Sequence, residues 1–368
     1  MKLTMRTEKL KEMVSRSVKG AGNNKLIPLT SLMAIEVKNN KLTLITTDAT
    51  NYLYIIEDKI VADDFYAVVD ANTFSKLVSK MTCENITLEI KSEFKYLEVK
   101  GNGTYKIELP LDENGEYIKY PDPYAEIPVS NDKSLDTLNR TTVQVILETI
   151  KPALATTLEN PCYTGYYMGD QVVATDTYKI ASMDIPVFKE YGESKLVSAE
   201  LMDLLSVMTS EKIKVDIEND TAVFITPDCV VVGKFMEGLE DFAIEPIMTL
   251  VNSTFNSRCV IPKNALLQLL DRLSIFVGVY DKNAVYLTFT REGLQVSSKA
   301  ASGVEIVNYS VSDNFTDFTC AIDIQMLINA VKSIKNDVIE IYYGDDGAIK
   351  MVDGNITIVI ALFDEDYD

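Results

Sequence analysis

The chain holds few of the side chains from which active sites are built. It has no histidine, which removes Ser-His-Asp and Cys-His nucleophile activation and histidine-ligated metal centres. Its cysteines, Cys83, Cys162, Cys229, Cys259 and Cys320, stand singly and include no C-x-x-C pair. An odd count at such spacing predicts neither a disulfide framework nor a zinc site, and the thiols read as small buried apolar groups. No G-x-x-x-x-G-K-S/T or G-x-G-x-x-G run is present to cradle a nucleotide phosphate. What remains for catalysis is carboxylates. Asp48, Asp176, Asp345 and Asp346 could in principle hold a divalent cation for hydrolysis. Thr47-Asp48 and Thr175-Asp176, however, lie at matching places in two similar strings. They read better as turns that bond their own backbone, and Asp345-Asp346-Gly347 as a hairpin turn. No catalytic residue, metal or cofactor is expected.

With 368 residues and 47% hydrophobic composition, the chain can bury two or three ordinary cores. It has no run of 18 apolar residues, so no membrane span is expected. The opening MKLTMRTEKL carries charges with no apolar stretch behind them, which predicts no signal peptide and a cytoplasmic location. The formal net charge of −20, taken alone, argues against nucleic acid as a partner, because phosphate binding needs cations.

One pattern returns roughly every 125 residues. A helix followed at once by a strand reads VVDANTFSKLVSKMTCENITLEI from Val68, LVSAELMDLLSVMTSEKIKVDI from Leu196 and CAIDIQMLINAVKSIKNDVIEIYY from Cys320. Asp70, Ser198 and Asp323 stand where each helix needs an N-cap. Alternating Ile, Leu and Val then predict a strand. A hairpin repeats as well: KNNKLTLITTDATNYLYI from Lys38, MGDQVVATDTYKIASMDI from Met168, and REGLQVSSKAASGVEIVNY from Arg291, the last without the Thr-Asp. A further helix is predicted near the start of each unit, over 7–19, 142–156 and 263–276. The expectation is an α+β protein of three repeated domains, 1–125, 126–250 and 251–368, each with two helices and several antiparallel strands. PDPYAEIPVSNDKS and EPIMTLVNSTFN read as linkers or edge strands between them.

The predicted helices are basic relative to the rest of the chain. Leu10, Met13, Val14 and Val18 share one face of the first, with Arg16 and Lys19 opposite. Phe74, Leu77, Val78 and Met81 share a face of the next, with Lys76 and Lys80 opposite. Leu266, Leu269, Leu270 and Leu273 leave Arg272 outside, and Met326, Ala330 and Ile334 leave Lys332 outside with Lys335 nearby. The middle repeat is poorer, offering Arg140 and Lys151. Basic helix faces in an acidic chain suit helices that face DNA while the exterior repels it. An acidic DNA mimic would use the net charge directly, but it explains neither the repeat nor these faces.

Several strings resemble the bacterial sliding clamp, the beta subunit of DNA polymerase III, across all three repeats. MKLTMRTEKLKEMVSRSV resembles the family's opening strand and helix, and Pro28 in NNKLIPLTSL sits where the family has L-P-I-L. GNGTYKIELP resembles S-G-R-S-x-F-x-L. NPCYTGYYMGDQVVATDTYKIAS resembles R-P-x-L-T-G…V-A-T-D-G-H-R-L-A.

The resemblance implies a non-enzymatic, head-to-tail homodimeric ring around duplex DNA. Its partners would be the replicative DNA polymerase, a clamp loader and proteins with clamp-binding motifs. Arg16, Lys19, Lys25, Lys76, Lys80, Arg140, Lys151, Arg272, Lys332 and Lys335 would face DNA. Tyr105, Ile107, Ile275 and Phe276 would lie at the dimer interface. Carried over by position, a partner-peptide groove would involve Tyr163, Thr175, Thr177, Tyr178, Lys179, Ile180, Ile244, Ile358, Ile360 and Leu362. Here the sequence departs from the family. Thr177-Tyr178-Lys179-Ile180 replaces G-H-R-L, Tyr163 replaces a leucine, and Glu240 stands where proline is usual. The end, ALFDEDYD, adds acids and two aromatics, Phe363 and Tyr367, which could fold back over the groove.

Overall fold

The computed structural model describes the chain except residues 92–94, 123–135, 189–192, 219, 279–281, 300–301, 312–314, 346 and 364–368. Element order is one theme played three times: strand, helix, strands, helix, three strands.

The first pass runs β1 (Lys2–Arg6), α1 (Thr7–Ser17), β2 (Leu32–Lys38), β3 (Lys41–Thr47), β4 (Tyr52–Glu57) and β5 (Phe65–Asp70). It continues with α2 (Ala71–Ser79), β6 (Asn85–Glu89), β7 (Tyr96–Lys100) and β8 (Thr104–Glu108). The second runs β9 (Asp136–Asn139), α3 (Arg140–Val145), β10 (Gly165–Met168), β11 (Val172–Thr175) and β12 (Lys179–Met183). Then come β13 (Lys195–Ser198), α4 (Ala199–Leu205), β14 (Lys212–Glu218), β15 (Thr221–Thr226) and β16 (Cys229–Lys234). An extra helix, α5 (Ile244–Val251), follows. The third pass is β17 (Ser257–Pro262), α6 (Lys263–Leu273), β18 (Ala284–Thr290), β19 (Gly293–Ser298), β20 (Val304–Val307) and the short β21 (Ser310–Val311). It ends with β22 (Phe318–Asp323), α7 (Ile324–Ser333), β23 (Val338–Asp345), β24 (Ala348–Asp353) and β25 (Ile356–Ala361).

Local chemistry explains the boundaries. The Asp70 carboxylate accepts the Thr73 N–H, and the Asp323 carboxylate accepts those of Gln325 and Met326, so two helices carry the anticipated caps. The β2–β3 hairpin turns through Asn39 and Asn40, both at positive φ (53° and 60°), the backbone a two-residue primed turn requires. The second-pass helix begins at Arg140 and stays regular only to Val145. It widens into a π-type turn over Ile146–Ile150 and ends in a 3-10 turn over Lys151–Ala153. Pro152 supplies the reason: it lacks an N–H, and its ring collides with the carbonyl four residues earlier. The segment read as a linker, EPIMTLVNSTFN, instead contributes most of α5. Ile244, Ile247, Met248 and Val251 recur at helical spacing, a period that outweighs the proline in the first turn. A domain boundary at 250–251 would therefore cut a helix. The other expected linker falls mostly outside the described residues.

The chain packs as two compact units. Unit 1 comprises Met1–Val143 and Glu200–Phe235; unit 2 comprises Gln144–Ala199 and Met236–Asp368. Unit 1 holds a four-stranded sheet ordered β1-β6-β7-β8 and an eight-stranded sheet ordered β5-β2-β3-β4-β16-β15-β14-β9. Unit 2 holds a four-stranded sheet ordered β20-β19-β18-β22 and a nine-stranded sheet ordered β13-β10-β11-β12-β25-β24-β23-β17-β21. Each large sheet joins strands of two successive passes edge to edge, four with four in unit 1 and four with five in unit 2, where the short β21 extends the third-pass half, so the middle pass gives half its strands to each unit. The joins are antiparallel and deeply packed. Tyr52 to Ile55 pair with Val232 to Cys229, and Lys179 to Met183 pair with Ile360 to Ile356. Helices α1 and α2 pack together in unit 1, and α6 and α7 in unit 2, with Leu10, Met13, Phe74, Leu266, Leu270 and Ile328 buried beneath them.

Candidate functional site

The two Thr-Asp pairs are structural. The Asp48 carboxylate accepts the Thr50 and Asn51 N–H groups at 2.8 and 2.7 Å, and the Thr47 hydroxyl donates to Asn51 O at 2.6 Å. The Asp176 carboxylate accepts the Tyr178 and Lys179 N–H groups at 3.0 and 2.9 Å, and the Thr175 hydroxyl donates to Lys179 O at 2.8 Å. Ala49 and Thr177 occupy the same left-handed position in the two turns, at φ 89° and 78°. Both carboxylates close their hairpins by bonding their own backbone. Asp345 pairs with Ala348 across the β23–β24 hairpin; Asp346 lies outside the described residues. Among the described residues no three Cys, Asp or Glu side chains gather as a metal site.

Of the ten cations expected to face DNA, Lys19, Lys76, Lys80 and Lys332 are exposed on or beside helices, and Lys25 is exposed in a loop. None of the five has an ion-pair partner among the described residues. Arg272 and Lys335 are also exposed, but Arg272 forks onto Glu305 and Lys335 pairs with Glu148. Arg140 is half-buried, with Nη1 3.5 Å from Thr209 O; Lys151 is half-buried too. Arg16 overturns its assignment. It is only 9% exposed, and its Nη1 meets Asp228 at 2.7 Å and Glu12 at 3.3 Å while Nε donates to Val207 O at 2.9 Å. Burial pushes the Asp228 carboxyl up, but the bond and charge of Arg16 outweigh it and hold the group below the usual carboxylate range. Arg16 is therefore a structural clamp within unit 1. The helical wheel placed it away from the apolar stripe but could not see β16 and its preceding turn arriving there.

Two sheet edges stand apart from the rest. The joins pair β4 with β16 and β12 with β25: the third strand of one pass's hairpin sheet meets the last strand of the next. By the same rule the unpaired members are β8, the last strand of the first pass, and β20, the third hairpin strand of the third. Both end their four-stranded sheets. In the joined β4 and β16 every residue but Lys234 is buried or half-buried, whereas β8 and β20 are largely open. Tyr105 on β8 is 41% exposed; beside β20, Ile275 is 78% and Phe276 50% exposed, and Val304 and Ile306 on the strand itself are exposed as well. Ile107 departs from expectation. At 6% exposure it already sits in the core of its own unit, with Tyr105 two residues away continuing the same face outward.

Unit 2 carries an apolar cluster under α5. Cys162, Val173, Ile180, Leu196, Phe242, Ile247, Val251 and Val359 form its buried floor. Tyr163, Tyr167, Met236, Ile244, Met248 and Phe255 pack on it while remaining half-exposed. Phe242 wedges between the two tyrosines, edge-on to Tyr163 at 5.2 Å between centroids and tilted against Tyr167 at 5.5 Å. Lys350 spans the C-terminal end of α5, donating to Val251 O and Ser253 O and lying 5.1 Å from the Phe255 ring. Burial lowers its pKa, while the carbonyls at a helix C-terminus favour a cation there.

Residues 1–121 match the family model described as the DNA polymerase III beta subunit, N-terminal domain. Among curated proteins none matches the chain by sequence. Solved structures match it over its full length. The DNA polymerase sliding clamp of Bacillus subtilis superposes with a TM-score of 0.83 at 15% identity, covering 99% of each chain. The beta subunit from DNA polymerase of Streptococcus pyogenes gives 0.84 at 15% identity, covering 99% of this chain and 100% of that one. A putative DNA polymerase III beta subunit of Eubacterium rectale gives 0.80 at 19% identity, covering 99% of each. The fold is that of the bacterial sliding clamp.

Within this clamp fold the expected groove is assembled only in part. Tyr163, Ile180 and Ile244 belong to the apolar cluster. Thr175, Thr177, Tyr178 and Lys179 form the hairpin turn beside it. There Tyr178 is exposed and Lys179 is engaged by Asp176 at 3.2 Å. Ile358 and Ile360 are buried on the opposite face of β25, because the pleat alternates and it is Val359 that pairs with Ile180 beneath α5. Leu362 lies beyond the strand end, its N–H bonded to Gly347 O. Phe363 is tied by its N–H to Ala321 O on β22; Tyr367 lies outside the described residues. Sequence reasoning missed Phe242, Ile247, Met248 and Val359. The helical spacing of 244–251 was the available signal.

Proposed function

We propose that the chain is a DNA polymerase sliding clamp: a homodimeric ring that encircles duplex DNA and tethers the replicative polymerase and other replication proteins to it. The observation that carries this reading is the pair of unsatisfied edges. Two of the three β4-type strands find their partner within the chain; among the described residues the third, β20, and the one β8-type strand left over do not. A second copy supplies both. Setting β8 of one copy against β20 of the next would reproduce the internal joins and cover Tyr105, Ile275, Phe276, Val304 and Ile306. Doing so twice closes a head-to-tail dimer in which neither β8 nor β20 is left open.

A closed ring holds DNA by topology and needs little affinity, which reconciles a net charge of −20 with a DNA partner. The unpaired Lys19, Lys25, Lys76, Lys80 and Lys332 give weak, sequence-independent phosphate contacts that permit sliding. Tethering raises the local concentration of a polymerase held in the apolar groove of unit 2, which is processivity in physical terms. The work is non-enzymatic and cytoplasmic, and ring opening falls to a separate clamp-loader ATPase.

The test combines solution mass with retention on plasmid after loading. A particle of twice the chain mass, held on circular DNA and released when the circle is cut, is the expected result. A monomer, or retention indifferent to DNA ends, refutes the reading.

A further inference from the structure

We propose that the apolar groove of unit 2 selects hydrophobic peptides whose flanks are basic. The inference rests on the reading of this groove as the partner-docking site, and it adds the chemistry of the partner. The floor and walls are aliphatic and aromatic: Ile180, Ile247 and Val359 below, with Tyr163, Ile244 and Met248 half-exposed above. Such a surface accepts aliphatic and aromatic anchors by burial alone.

The charges around it are one-sided. Glu237, Glu240, Asp241 and Glu245 are all exposed along the segment that forms the groove wall, and none has an ion-pair partner among the described residues. The wall brings Asp241 close to the floor. A Cβ placed on Gly238 would lie 3.6 Å from an Asp241 carboxylate oxygen and 4.0 Å from Cβ of Cys162. The cations on the same elements are already engaged. Lys179 pairs with Asp176 at 3.2 Å and Lys195 with Glu193 at 2.9 Å. Lys350 is half-buried and bonded to the carbonyls ending α5. An incoming peptide therefore meets uncompensated negative charge along the wall, while Lys179 and Lys195 are paired with acids and Lys350 is turned into the carbonyls that end α5. Lysine or arginine beside the anchors gains from this field, while acidic flanks are repelled, and the chain's net charge acts in the same sense at longer range.

The test uses the full chain and three fluorescent peptides that share a Leu-Ser-Leu-Phe core, flanked by paired lysines, paired serines or paired glutamates. Affinities are read by fluorescence anisotropy. In low salt the lysine-flanked peptide should bind at least about tenfold tighter than the glutamate-flanked one, equivalent to roughly 1.4 kcal/mol. The ratio should shrink in about 0.5 M NaCl, where the screening length falls to a few ångströms. Glu240→Gln with Glu245→Gln, both at exposed positions, should draw the ratio towards unity. Equal affinities, or tighter binding of the glutamate-flanked peptide, overturn the charge selection while leaving the groove as a docking site. No saturable binding by any of the three overturns the groove reading itself and this inference with it.

Discussion

Arg16 offers the sharpest test of how charge is used in this chain, because its place on a basic helix and its surroundings imply opposite roles. Its guanidinium is held by Asp228, Glu12 and the Val207 carbonyl. Replacing it with methionine keeps most of the packing volume but leaves the part-buried Asp228 carboxylate without its cation and a carbonyl without its donor. Breaking a fully buried pair costs roughly 3–5 kcal/mol; Asp228 keeps hydroxyl bonds from Thr209 and Thr226 and some solvent access, so about 2–3 kcal/mol is expected here. At roughly 2–4 °C per kcal/mol for a unit of this size, the transition of unit 1 should fall by about 5–10 °C. The assay is thermal and urea unfolding of Arg16→Met, Asp228→Asn and the double variant, and the cycle should return a coupling above about 1 kcal/mol. Because the folded Asp228 titrates below its ordinary value, the pair's contribution is complete above about pH 4 and is lost as the pH falls through the depressed pKa. The wild type's advantage should fade in strong acid. Retention on circular DNA at neutral pH should match wild type wherever the variant is folded. A shift under about 0.5 kcal/mol, or a selective loss of DNA retention, would refute the structural assignment.

Three further outcomes follow from the same geometry. Lys76→Glu with Lys80→Glu, at exposed and unpaired positions, should leave the melting temperature within about 1 °C. It should weaken reversible binding to short linear duplex and flatten its log–log salt dependence by up to about 0.9 for each phosphate that is no longer neutralised, while retention on circular DNA, which is topological, stays at the wild-type level. Ile306→Asp at the open face of β20 should shift the particle from dimer to monomer in light scattering without changing the circular dichroism spectrum, since it buries a charge only when a second copy docks. Asp48→Ala deletes the acceptor for the Thr50 and Asn51 N–H groups and the Asn51 amide. It should cost unit 1 about 1–3 kcal/mol in urea unfolding, whereas a catalytic role would instead leave stability untouched.

The repeat, the helices, the capping residues and the Thr-Asp turns were legible in the chain itself, because each depends on neighbours within a dozen residues. Asp70 and Asp323 cap the helices they precede, and Thr47-Asp48 and Thr175-Asp176 close the same turn. The absence of histidine already set aside the commonest catalytic arrangements. What tertiary structure alone decided are the questions of long-range partners. Arg16 lies in the last turn of α1 and Lys19 in the 3-10 turn that follows it, yet Asp228, more than two hundred residues away, captures Arg16, while Lys19 has no ion-pair partner among the described residues. Ile107 and Tyr105 share a face of β8, and only packing determines that one is core and the other edge. Along β25 the sequence ITIVIA is apolar at nearly every position, so composition could not say which residues face the groove. Pairing of Ile180 with Val359 fixes that register, because a pleated strand sends adjacent side chains to opposite faces and a one-residue choice exchanges them all.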